Sequence, residues 1–151
     1  VFLSQLTGST VASTTGNTIT VGTNANKGWT AWVKSAYTSL RSVGTGESIG
    51  TTGTLDNAPS TCVNGTDCYL IDADLVTSGT GTGALTIRGE YNGTNNTQGG
   101  TLSTIFQPFA GRTGKTDGDV VRLIARAAVN NTRTAGDDYT DTLTVVGAGN
   151  F

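Results

Sequence analysis

The chain has 151 residues, a formal net charge of −2 and 13% charged residues, with 22 glycines, 30 threonines and no histidine. Nucleic-acid binding needs clustered Lys/Arg to release counterions. The nearest approach, Arg122, Arg126 and Arg133, is spread among apolar residues, so no nucleic-acid partner is expected. Without histidine, Ser-His-Asp and Cys-His catalysis are excluded, and no long uninterrupted apolar run predicts a membrane-spanning helix.

Threonine fits a half-exposed pleated surface and glycine supplies turns, so the composition predicts many short strands joined by tight loops. The chain opens VFLSQLTGSTVA. Residues 1–12 carry Val1, Phe2, Leu3, Leu6 and Val11, which do not fall on one face, and form a candidate first strand. The opening on Val1 rather than Met is the expectation for an exported chain whose leader has been removed. Residues 13–151 are expected to form a single β-sandwich domain.

Alternation dominates that region. Trp29, Ala31 and Val33 share one face, with Thr30, Trp32 and Lys34 on the other. Tyr69, Ile71, Ala73 and Leu75 separate from Leu70, Asp72, Asp74 and Val76, and Leu85 and Ile87 from Thr86 and Arg88. The run DVVRLIARAAV is compatible with a helix on composition. It reads more cleanly as a strand with Val121, Leu123, Ala125, Ala127 and Val129 on one face and Arg122 and Arg126 on the other. Leu143 and Val145 oppose Thr142 and Thr144. Turn signals such as Thr15-Gly16-Asn17, Asn26-Lys27-Gly28 and Thr116-Asp117-Gly118 recur between the runs. An antiparallel β-sandwich of about 9–10 strands follows, immunoglobulin-like, pilin-like or jelly-roll.

Cys62 and Cys68, with Asn64-Gly65 between them, are spaced for a disulfide around a small turn. A zinc site needs more ligands, so the pair points to an oxidising compartment, with about 2 kcal/mol of stabilisation. Four Asn-x-Thr sequons, at Asn64, Asn92, Asn95 and Asn130, fall in predicted loops and are candidate glycosylation sites. Composition alone gives about three. The carboxylates Asp72/Asp74, Asp117/Asp119 and Asp137/Asp138/Asp141 lack EF-hand spacing and read as solvated turns rather than a calcium site. Residues 111–116 superficially resemble a phosphate-binding loop but lack its spacing and its strand-loop-helix context. No metal, cofactor or catalytic residue is expected. Trp29 and Trp32 point to opposite faces of one strand, so at most one of them can offer an aromatic platform to a sugar. Phe106, Pro108 and Phe109 are expected to fill the sandwich or cover its edge.

Residues 119–147 form an alternating strand, a polar turn, then Gly136, Tyr139, Asp141, Leu143 and Val145 in a Gly-x-Tyr-x-Asp-x-Leu-x-Val series with one additional Asp after the glycine. This series resembles the closing strands of the spore coat protein U family and related fimbrial subunits. The resemblance implies a secreted structural subunit of a surface filament, a homopolymer assembled by donor-strand complementation. Val1, Phe2, Leu3, Leu6 and Val11 would then lie in the donated strand. The rival readings are a carbohydrate-binding or adhesive surface module using Trp29 or Trp32, and a viral capsid or tail protein.

Overall fold

The computed structural model describes Leu6, residues 8–134 and residues 136–151. Among these, the strands in chain order are β1 (Ala12–Ser13), β2 (Asn17–Thr23), β3 (Trp29–Ser35), β4 (Ser39–Arg41), β5 (Ser48–Gly50), β6 (Ser60–Thr61) and β7 (Cys68–Thr77). They continue as β8 (Thr80–Gly81), β9 (Leu85–Ile87), β10 (Gln98–Gly99), β11 (Gln107–Arg112), β12 (Thr116–Ala128) and β13 (Leu143–Gly149). A single 3-10 turn at Gly89–Tyr91 is the sole helical element among the described residues. Nine of the thirteen strands have three residues or more, in keeping with the expected number.

The fold is an antiparallel β-sandwich. One sheet is built on the 13-residue β12, which pairs with β7 and β8 along one side and with β1 and β2 along the other. The second sheet has the order β13-β3-β11-β9. The segment with an ambiguous helical composition is therefore the central strand. Its odd residues Val121, Leu123, Ala125 and Ala127 face Trp29, Ala31 and Val33 of β3 across one core, which also holds Tyr69, Ile71, Leu85 and Phe109. Burial of such apolar faces contributes roughly 25 cal/mol per Å² removed from water.

Three local expectations are revised. Leu75, expected inside, is half exposed, because the β7–β12 register shifts between Val120 and Val121 and the end of β7 runs off the core. Phe109 fills the core, whereas Phe106 is exposed with Lys34 Nζ 4.9 Å above its ring. Thr15-Gly16-Asn17 does not reverse the chain. β1 and β2 run along the same side of β12, and Gly16, at φ +84°, breaks one edge strand into two. A Cβ at Gly16 would lie 2.9 Å from the Leu123 carbonyl oxygen, so glycine lets the broken edge stay close to β12.

Candidate assembly groove and surface sites

The two sheets meet along a seam bounded by β2 and β13. Each is an edge: among the described residues β2 pairs only with β12 and β13 only with β3. Their sequences, NTITVGT and LTVVGAG, contain no charge and no proline. Between them lies a groove of about 520 Å³. Ile71, Leu123 and Ala125 line it from the β12 sheet, with Ile19 on β2 and Leu143 and Val145 on β13. A second hollow of about 360 Å³ continues along Ile19–Thr23 and Gly147–Gly149. The other margins of the sandwich are guarded. β9 has three residues and runs directly into Arg88, and the Gly100 loop closes on β7 through reciprocal backbone bonds with Ile71 of 3.0 and 2.7 Å. Short, charged or covered edges resist pairing with another chain, and long uncharged ones invite it.

Polar struts hold the sheets at this separation. Asp119 on β12 is fully buried and accepts from Trp29 Nε1 (2.8 Å), Gly79 N–H (2.8 Å) and the Arg112 guanidinium on β11. Burial raises the Asp119 carboxyl, but the bonds from Trp29, Gly79 and Thr116 and the Arg112 charge outweigh it and hold it below the ordinary Asp value. The signal for this site was the parity of Asp119, which continues the apolar row of Val121 and Leu123. A carboxylate in a core row requires a buried cation, and sequence reasoning did not pair it with Arg112. Asp141, from the closing series, accepts from Ser35 Oγ at 2.7 Å and Tyr69 Oη at 3.2 Å, joining β3 to β7. Burial, then the Asp141 charge, pushes the Tyr69 phenol far up. Tyr139 of the same series is buried and donates to Thr134 O, while Leu143 packs on the core and Val145 faces the seam.

The other carboxylates serve as partners and caps. Asp72 and Asp74 pair with Arg126 and Arg122, and Asp138 accepts from Ser42 Oγ and Gly44 N–H. Burial raises the Asp72 carboxyl despite Arg126 beside it. Among the described residues no group of three or more His, Cys, Asp or Glu stands together to hold a metal ion. Among the described residues no helix is long and apolar enough to cross a membrane.

Cys62 and Cys68 form the disulfide, buried against Leu70, Ala128 and Val11. Leu6 packs on the main core, and β1, directly after Val11, pairs with β12 of its own chain. Val1, Phe2 and Leu3 lie outside the described residues. Asn64, Asn92, Asn95 and Asn130 are all exposed in loops. Asn95 and Asn130 each bond the threonine two residues on, Asn95 Oδ1 accepting from Thr97 N–H and Oγ1 and Asn130 Oδ1 from the same groups of Thr132. Of the two tryptophans, Trp29 is a core residue and Trp32 is half-buried on the outward face. Comparison with protein-family models, curated proteins and solved structures found no match to this chain.

Proposed function

We propose that this chain is a non-catalytic structural subunit of an extracellular filament, assembled by accepting a β-strand from a neighbouring copy into the seam between β2 and β13. The observation that carries this reading is the pairing of two uncharged edge strands with an apolar groove between them, on a molecule whose other margins are guarded. A strand laid in the seam supplies main-chain partners to an edge and apolar side chains to Ile19, Leu123 and Val145. A seven-residue edge is about 23 Å long, ample for one such strand. The disulfide supports an oxidising, exported setting, and the exposed sequons suit a glycosylated surface wherever the host has that machinery.

The test places a charge in the seam. Val145→Lys and Ile19→Lys each put an ammonium where a donated strand must pack, at positions only partly buried in the single chain. Negative-stain microscopy of the wild-type chain is expected to show filaments, and both variants are expected to stay monomeric with melting temperatures near that of wild type. Variants that polymerise like wild type would rule out the seam as the acceptor.

A further inference from the structure

We infer that the outward face of the β13-β3-β11-β9 sheet carries a second site, a cross-strand trough that binds an acidic polysaccharide chain. Cross-strand register sets its floor. Ala148, Thr30, Gly111 and Thr86 stand opposite one another on four adjacent strands, a row of small residues with glycine at an inner position. The next outward row is taller: Val146, Trp32 and Pro108 are in register, and Arg88, two residues beyond Thr86, projects on the same face. On the other flank stand Lys27, Thr113 and Asn150, with Asn150 Nδ2 donating to Thr30 Oγ1 at 3.2 Å. Part of the trough is a hollow of about 270 Å³. Four strands at their usual spacing give a trough about 15 Å long, the span of a few sugar residues.

The two walls differ in chemistry. One presents the Trp32 indole with Pro108 and Val146 beside it, a surface on which the C–H face of a pyranose ring stacks. The other presents an amide and hydroxyls that exchange hydrogen bonds with sugar hydroxyls, as ligand sites do when a few polar groups orient an otherwise apolar contact. Its charge is one-sided. Lys27 and Arg88 line the hollow, and no carboxylate does among the described residues, although the chain as a whole is acidic. Arg88 is held 3.4 Å from Glu90 while its side chain stays half exposed. A neutral glycan would leave the Lys27 charge unused, whereas a uronate chain supplies a carboxylate to it.

Native gel electrophoresis through polygalacturonate, with dextran as the neutral control, tests the site. Wild-type chain is expected to be retarded by polygalacturonate, less so at high salt, and to run freely in dextran. Trp32→Ala and Lys27→Glu are each expected to weaken retention at least about tenfold, the loss of about 1.4 kcal/mol. Lys27 is exposed and outside the strands, so its variant reports on binding even if Trp32→Ala unfolds. Absence of retardation in polygalacturonate, equal retardation in dextran, or wild-type retention by Lys27→Glu would each overturn the site. The trough lies outside the sheet and the seam between the sheets, so this outcome is independent of whether the chain polymerises.

Discussion

Asp119 shows how a single residue fixes the spacing of two sheets. It sits on β12, its guanidinium partner Arg112 sits on β11 of the facing sheet, and Trp29, in register with Arg112, donates its indole N–H to the same carboxylate. Arg112 also donates to the Gly79, Thr82 and Gly83 carbonyls, so its removal strands a buried charge and several acceptors together. Arg112→Met is expected to destabilise the chain by about 3–5 kcal/mol, the usual cost of breaking one half of a buried ion pair. Urea denaturation measures it, and a loss below about 1 kcal/mol would refute the strut. The same site predicts an acid limb. Asp119 is depressed on folding, so as pH falls the unfolded chain takes up its proton first. The contribution is complete above the unfolded value near pH 4 and drains away as pH drops through the folded value. Asp72 acts in the opposite sense, because burial raises it and the folded state then takes its proton first, which offsets part of the decline. Urea midpoints measured from pH 6 down to pH 2.5 are expected to fall below about pH 4 in wild type and more gently in Asp119→Asn. Equal slopes would mean another carboxylate governs the acid limb.

At the scale of the element, glycine positions separate turn chemistry from packing. Gly28 precedes β3 at φ +80°, and a Cβ there would lie 1.8 Å from the Arg112 carbonyl oxygen and 2.5 Å from Gly114 N. Gly46 has a similar φ of +73° but nothing within 4 Å. Gly46→Ala is expected to cost about 1 kcal/mol, the backbone penalty alone, and Gly28→Ala at least about 2 kcal/mol more, since main chain must move. Thermal melts of the two variants compare them directly, and equal losses would show that packing at Gly28 is slack. The strands themselves were legible because period-two alternation survives wherever one face is buried: Trp29/Ala31/Val33 and Val121/Leu123/Ala125 both read correctly. Gly16 was not legible, since the same left-handed residue that closes a hairpin also kinks an edge, and only the partner strand distinguishes them. The seam escaped for a related reason. Leu143 and Val145 announce a buried face, but sequence does not show that the sheet opposite leaves them partly uncovered.

For the whole molecule, the question is what the first residues do, because they serve the folded chain and the proposed filament in different ways. Val11 lies on the disulfide cluster, Leu6 on the main core, and Ala12–Ser13 pair with Ala127 and Arg126, so this stretch already belongs to its own subunit. Removing residues 1–12 therefore confounds two effects: it strips Leu6 and Val11 from the core and removes the proposed donor at once. A shorter deletion of residues 1–5 separates them. It spares Leu6, Val11 and β1 while taking Val1, Phe2 and Leu3, the apolar residues at the head of the proposed donor. Under strand donation the shortened chain is expected to keep the β-rich circular-dichroism spectrum of wild type and to form no filaments at concentrations where wild type does. Val11→Ser is expected to do the reverse, lowering the melting temperature by loosening the packing on Cys62 and Cys68 while leaving filaments intact. Filaments that persist after removal of residues 1–5 would show that the seam is filled by some other strand, and the donor would have to be sought elsewhere in the chain or in a second protein.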